Sequence, residues 1–301
     1  CMSLPSPQQL RYLVALSEHG HFGRAAAACA VTQSTLSAGI LALERQLDAA
    51  LIERSTTRRP VFTPLGAEVT RRARAALRAL EEVSEAAAAA RDPLSGPLRL
   101  GVIPTVGPFL VPRLMPALRA RFPRLRLWLR EEQTDRLLAH LHGGVLDLVL
   151  LALPCACEGA EVQPIAPDPF LLALPEGHRL AALPAIPAAA LAAERVLLLE
   201  DGHCLRDQAQ ESCGLPRGVG PDGFAATSLH TLVQMVAGGL GVTILPRLAV
   251  QGGVLEGTGL LTRPLEAEPG RTLALAWRPR SPRAAEFRAL AASLADITGG
   301  A

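Results

Sequence analysis

The segment Asp201-Gly202-His203-Cys204 places a cysteine at what reads as the start of a helix containing Leu205 to Ser212. A thiol at a helix N-terminus sits at the positive end of the helix dipole, and Arg206 lies close in sequence. Both features favour the thiolate, the form that attacks peroxide. His203 is placed to donate to a peroxide oxygen. Oxidation of such a thiol gives a sulfenic acid, which condenses with a second thiol into a reversible disulfide. The other cysteines are Cys29, Cys155, Cys157, Cys213 and Cys1, which precedes Met2. Cys155 and Cys157 stand as Cys-x-Cys at a strand end without matched partner ligands, which makes a weak zinc motif. Cys29 falls in a turn, where packing is its expected role. The competing reading of Cys204 and Cys213 is a pair of inert buried thiols. The histidines at 19, 21, 140, 142, 178 and 230 form no metal spacing, so neither a metal nor a cofactor is expected.

The elements that position these groups occupy 301 residues, enough for two or three domains with cores of their own, and a 49% hydrophobic composition agrees. The longest apolar run, Val145 to Leu153, is broken by Asp147 and is far shorter than the ~20 residues a membrane span needs. No export signal is legible at the N-terminus. The expected location is therefore cytoplasmic, where thiols are kept reduced and cysteines are more often reactive or buried than structural. A net charge of +2 does not identify a nucleic-acid binder. Its distribution says slightly more: residues 1–91 hold 11 Arg against 8 acidic residues, and the chain has no Lys.

Leu10, Leu13, Val14 and Ser17 recur at helical spacing, and Gly20 ends that run. A second helix begins near Phe22 and carries Ala25, Ala26 and Cys29. Thr32 is a good N-cap for a third, which keeps Leu36, Ile40, Leu43 and Leu47 on one face. Two short helices joined by a tight turn make a helix-turn-helix, whose second helix enters the major groove. Thr32, Gln33, Ser34, Thr35 and Ser37 lie opposite the apolar face, where Gln can bond adenine and hydroxyls can reach bases or phosphates. A solvated helix face is the bland alternative. Arg54-Ser-Thr-Thr57-Arg58-Arg59 reads as the tip of a basic β-hairpin wing suited to phosphate contacts.

From Gly66 to Arg91 the pattern is a long Ala-rich helix with Val69, Ala73, Ala76, Leu80 and Val83 on a rough seam that suits dimerisation. Asp92-Pro93 and Ser95-Gly96-Pro97 end it. Beyond Leu98 strands alternate with helices: Leu98–Ile103, a helix over Phe109–Arg121, a strand Leu125–Leu129, a helix Thr134–His142 and a buried strand Leu146–Leu153. Further strands are expected at Phe170–Leu174, Val196–Leu199 and Gly241–Leu245. Such alternation predicts a parallel sheet in two small lobes.

Phe22-Gly-Arg-Ala-Ala26, Val31-Thr-Gln-Ser-Thr-Leu-Ser37, Leu51-Ile-Glu-Arg54 and Thr63-Pro-Leu-Gly66 resemble the N-terminal signature of the LysR-type transcriptional regulators, with Asp48 where that family usually has Gly. Ile103-Pro-Thr-Val-Gly-Pro108, Leu199 to Ala209, Ala226-Thr-Ser-Leu229, Gly241 to Pro246 and Arg271-Thr resemble its peroxide-responsive members. The resemblance implies an α/β protein. A winged helix-turn-helix would cover 1–66, a dimerisation linker helix and hinge 67–95, and a periplasmic-binding-protein-like regulatory domain 96–301. Lobe I would be about 96–167 and 268–301, and lobe II about 168–267.

It further implies a reversible Cys204–Cys213 disulfide, with Thr105, Thr134, His203, Asp207 and Arg271 around the peroxide. Nine residues of intact helix span roughly 13 Å, whereas a disulfide needs Cα atoms roughly 4.4–6.8 Å apart. Closure therefore requires the helix to unwind, and Gly214, Pro216, Gly218 and Gly220 ease that change. The implied partners are a double-stranded DNA operator, hydrogen peroxide, RNA polymerase and further copies of the chain, as a homodimer assembling into a homotetramer. No membrane is involved, and the protein is not an enzyme. The alternative within the family is a small metabolite between the lobes, held by Thr105, Thr134 and Thr227. Outside it stand a thiol peroxidase and a solute-binding protein.

Overall fold

A computed structural model describes residues 4–53, 60–89, 94–215 and 225–299 and divides into two compact units. The first runs to Ala88 and takes in His142–Val145. It opens with α1 (Pro7–His19), α2 (Phe22–Ala28) and α3 (Gln33–Leu47). Each start has a side-chain cap. Ser6 and Gln9 form a capping box on α1, His21 Nδ1 accepts from Gly23 N at 3.0 Å, and Thr32 Oγ1 accepts from Thr35 N at 3.2 Å. Leu13, Leu16, Ala25, Leu36, Ile40 and Leu43 fill the core between the helices.

Gly39, inside α3, faces Tyr12: a Cβ there would stand 2.5 Å from a ring carbon, so only glycine lets α1 and α3 close. Asp48 caps α3 in the left-handed conformation at φ 49°, which a short polar side chain tolerates. After α3, Ile52 bridges antiparallel to Phe62, and Glu53 N donates to Val61 O at 2.8 Å. The expected wing tip with Arg54, Thr57, Arg58 and Arg59 lies outside the described residues. Thr63 Oγ1 then accepts from Gly66 N and starts the long helix α4 (Pro64–Ala89). Along its expected seam Ala73 is buried and Val69 half-buried, whereas Ala76, Leu80 and Val83 are exposed.

The second unit holds the sheet. Its order along the chain is β1 (Gly96–Val102), α5 (Gly107–Arg121), β2 (Leu125–Glu131), α6 (Thr134–His142), β3 (Leu148–Leu153), β4 (Glu161–Pro175), a 3-10 turn (Arg179–Ala182), α7 (Ala188–Leu191), β5 (Val196–Leu197), α8 (Cys204–Ser212), α9 (Leu229–Ala237), β6 (Val242–Pro246), α10 (Arg247–Gln251), β7 (Leu260–Pro264), β8 (Gly270–Trp277) and α11 (Ala284–Gly299). Across the sheet the strands run β2-β1-β3-β8-β4-β6-β5, with β7 also on β4. β2, β1 and β3 pair in parallel as expected, but the sheet as a whole is mixed. β8 enters between β3 and β4 and is antiparallel to both. The cause is the order of the chain. It crosses into the second lobe along β4, whose first part pairs β8 and whose end pairs β6 and β7, and it returns from that lobe as β8.

Among the described residues no single helix is long and apolar enough to cross a membrane.

Candidate redox site and DNA-reading face

Three turns that lead into helices build the redox site. Thr105 follows β1 just before α5, Gln133 and Thr134 open α6, and Gly202, His203 and Cys204 open α8. With Ile103 and Pro104 they line a narrow, tightly closed recess. Its position, at the carboxyl ends of parallel strands, is where open α/β sheets hold ligands. Gly202 has φ +91°, a left-handed conformation that favours glycine, and it lies against the Gln133 side chain where α8 approaches α6.

The hydroxyls differ in what binds them. Thr105 Oγ1 accepts from Arg271 at 2.8 Å, so its proton is free to donate into the recess. Thr134 Oγ1 is buried with no partner among the described residues, an unusual state that a hydrogen-bonding guest would relieve. Burial holds His203 below its ordinary pKa, with Glu200 at 3.9 Å pulling weakly the other way. Its imidazole is thus held neutral, with one donor and one acceptor nitrogen.

Arg271 does not line the recess. Its side chain is fully buried: Nε bonds Asp168 Oδ2 at 3.0 Å, and the guanidinium also reaches Thr105 O at 3.1 Å. Asp168, 2% exposed, accepts from Leu248 N through its other oxygen. The charge expected to act on peroxide is therefore balanced by a buried carboxylate, and Arg271 acts on the site by orienting Thr105. Asp207, one turn beyond Cys204, is exposed and absent from the lining, as is Thr227. Arg206, expected beside the sulfur, is buried and bonds Leu199 O and Asp201 at 3.2 Å. Asp168 and Gln133 are the site-building residues that the sequence reading passed over.

Cys204 is the first residue of α8 and Cys213 its C-cap, with Cys213 N donating to Ala209 O at 3.0 Å. Both are free thiols at opposite ends of an intact helix. Gly214 follows at φ +65°, and residues 216–224, including Pro216, Gly218 and Gly220, lie outside those described. Cys213 is buried among apolar side chains, and desolvation pushes its thiol up to about 11. The unfolded chain ionises first, near 9, so the stability tied to the buried thiol is complete below that pH and is lost as pH rises through about 11. Urea midpoints of the wild type should fall between pH 9 and 10.5 by more than those of Cys213→Ala, by on the order of 2 kcal/mol in unfolding free energy. Equal pH slopes for the two chains would refute this assignment.

Cys155 and Cys157 are not ligand candidates as free thiolates: a disulfide joins them, with Cα atoms 5.5 Å apart. Among the described residues no group of three His, Cys, Asp or Glu is placed to hold a metal ion.

In the first unit, Thr32 Oγ1 lies 2.9 Å from Ser34 Oγ and 2.8 Å from Thr35 Oγ1. Thr32, Gln33, Ser34, Thr35 and Ser37 are all exposed at the start of α3, opposite the buried Leu36 and Ile40. The face is polar and fixed in place by its own cap.

Residues 7–67 match the bacterial regulatory helix-turn-helix protein family of lysR type, and residues 91–298 match the LysR substrate binding domain. The chain is 45% identical over 289 residues, 95% of its length and 94% of the relative's, to the DNA-binding transcriptional dual regulator OxyR of Escherichia coli K12. Its fold is similar to full-length OxyR from Pseudomonas aeruginosa carrying a cysteine-to-aspartate change, with a TM-score of 0.80, 35% identity and 98% and 97% of the two chains covered. It is similar also to a cysteine-to-serine mutant of Corynebacterium glutamicum OxyR with H2O2 bound, at a TM-score of 0.68, 33% identity and 100% and 94% coverage. The chain belongs to the LysR family of helix-turn-helix transcriptional regulators and, within it, to the OxyR proteins.

Proposed function

We propose that this regulator senses hydrogen peroxide by closing a reversible Cys204–Cys213 disulfide, and that the change of shape alters how its helix-turn-helix units sit on a double-stranded DNA operator. The observation that carries the reading is a free thiol at the start of α8, in a recess with one hydroxyl anchored by Arg271 and another buried without a partner among the described residues. The Cys204 thiolate attacks one peroxide oxygen. The O–O bond breaks, the sulfur becomes a sulfenic acid and the other oxygen leaves with a proton as water. Thr105 and Thr134 hold the peroxide oxygens, and neutral His203 donates to the oxygen that leaves. The Cys213 thiol then attacks the sulfenic sulfur, a second water leaves, and the S–S bond forms. In sum two thiols and one peroxide give one disulfide and two waters.

The bond cannot form while α8 is helical, so oxidation selects a second conformation of the regulatory domain. In this reading residues 1–66 are the winged DNA-binding domain, 67–95 the dimerisation helix and hinge, and 96–301 the two-lobed sensor. Thr32, Gln33, Ser34, Thr35 and Ser37 face the bases, and Arg54, Thr57, Arg58 and Arg59 the phosphates. The exposed Leu80 and Val83 of α4 favour pairing of two chains. Two such dimers form the working tetramer, which presents itself to RNA polymerase in the cytoplasm. Oxidation is stoichiometric, so the protein is a switch and not an enzyme.

Titration with hydrogen peroxide, disulfide mapping by mass spectrometry and DNA footprinting on the same samples test the proposal. A Cys204–Cys213 bond at low peroxide with a changed footprint supports it. Thiols that stay reduced, or oxidise without moving the footprint, overturn it in favour of a metabolite-responsive regulator.

A further inference from the structure

The seven residues 154–160 between β3 and β4 carry the Cys155–Cys157 disulfide, which has no part in the proposed peroxide chemistry. Cys157 N donates to Cys155 O at 2.9 Å and Ala160 N to Cys157 O at 3.2 Å, so the disulfide closes a turn already folded by its backbone. Both cysteines are half-buried against the core, while Pro154, Ala156 and Glu158 beside them are exposed.

The turn is also joined to the sensing helix. Gln208, midway between Cys204 and Cys213 on α8, is buried, and its Nε2 donates to Ala152 O at 3.0 Å and to Pro154 O at 2.9 Å. Both side-chain N–H groups of Gln208 are thus spent on the strand end that leads into Cys155. Unwinding α8 must break these bonds, and loosening residues 154–157 must weaken them.

We propose that Cys155 and Cys157 form a second dithiol–disulfide couple, in exchange with low-molecular-weight thiols such as glutathione, whose oxidised state clamps α8 in its helical form through Gln208. The proposal rests on the peroxide reading of Cys204 and Cys213. In the exchange, the thiolate of one small thiol attacks a sulfur of the Cys155–Cys157 bond and displaces the other sulfur, which takes up a proton. A second small thiol attacks the mixed disulfide so formed. Two small thiols become one small disulfide, and both cysteines become thiols. Residues 150–162 hold no cation and Glu158 is acidic, so the sequence around these cysteines lacks the positive neighbour of a peroxide-reactive thiolate. The output is a threshold: with the turn oxidised, more peroxide is needed to unwind α8.

Two measurements test this. In Cys204→Ser protein held in buffers of graded reduced-to-oxidised glutathione, alkylation and mass mapping should show Cys155 and Cys157 passing together from disulfide to dithiol. In peroxide titrations of the full chain, Cys155→Ser/Cys157→Ser should close half of its Cys204–Cys213 bond in a fixed time at about fivefold lower peroxide than the wild type with its turn oxidised, the equilibrium worth of about one buried hydrogen bond. Gln208→Ala should shift the dose in the same direction, and adding it to the double serine variant should shift it little further, because one link is removed twice. Cys155 and Cys157 that never change state across the series, or a double serine variant with the wild-type dose, overturn the proposal. A wild type that closes no Cys204–Cys213 bond at any dose instead overturns the peroxide reading on which it rests.

Discussion

Cys204→Ser protein is expected to keep its reduced-state footprint on the operator and to show no change in it at any peroxide concentration that leaves the chain intact. A serine hydroxyl lies far above neutral pH in acidity and has no sulfenic state, so both steps of the switch are lost together. Cys213→Ser should behave differently. Cys204 still meets peroxide in the recess, but its sulfenic acid has no partner thiol and persists, detectable by a sulfenic-specific adduct, before passing to sulfinic acid. The contrast follows from placement: Cys204 lines the recess, whereas Cys213 is buried at the far end of α8 with its thiol pushed up to about 11. Cys213 cannot act as a thiolate where it stands, and it reacts only once the helix has opened. Part of the cost of opening is already present in the reduced fold. Gln208 Oε1 is buried without a partner among the described residues, a defect worth about 1–3 kcal/mol that release to solvent removes. A peroxide-dependent footprint surviving in Cys204→Ser would move the sensor elsewhere.

The helix-turn-helix was legible in the sequence because its signals are local: a cap at Thr32, a helical apolar period and a glycine stop at Gly20. The first half of the sensor was legible for the same reason, with β1, α5, β2, α6 and β3 all anticipated within a few residues. What escaped notice depends on partners distant in sequence. Residues 161–169 contain Pro164, Pro167 and Pro169 and were assigned no element, yet they pair with β8. β8 itself decides the mixed sheet, and nothing local fixes its direction. Asp168 hides among those prolines, although its carboxylate pairs with Arg271. Arg206 was expected beside the Cys204 sulfur and Gln208 drew no reading, and both prove to be buried. Cys204 was found by its neighbours at a helix start, and Cys213 was named as its partner on resemblance. Arg271 and Asp207 were placed around the peroxide on resemblance, and the fold puts neither in the recess lining.

Arg271 nonetheless carries the second large expectation. With Arg271 and Asp168 both nearly inaccessible, removing the guanidinium leaves a carboxylate in the interior with a single backbone donor, Leu248 N. Breaking one side of a buried pair costs about 3–5 kcal/mol, so Arg271→Ala should lower the thermal midpoint of the sensor domain by on the order of 10 °C. The same change frees Thr105, whose hydroxyl then rotates away from the recess and slows oxidation of Cys204 at temperatures where the fold persists. Arg271→Lys separates the two effects. An ammonium keeps the charge opposite Asp168 but cannot bond Asp168, Thr105 Oγ1 and Thr105 O in one plane as the guanidinium does. Its expected signature is a smaller loss of stability with most of the loss in oxidation rate. Adding Asp168→Asn to Arg271→Ala should recover stability by removing the stranded charge, and should not recover the rate, because Thr105 remains unanchored. If Arg271→Lys oxidises Cys204 at the wild-type rate, Arg271 serves stability alone and the Thr105 hydroxyl is oriented by the backbone.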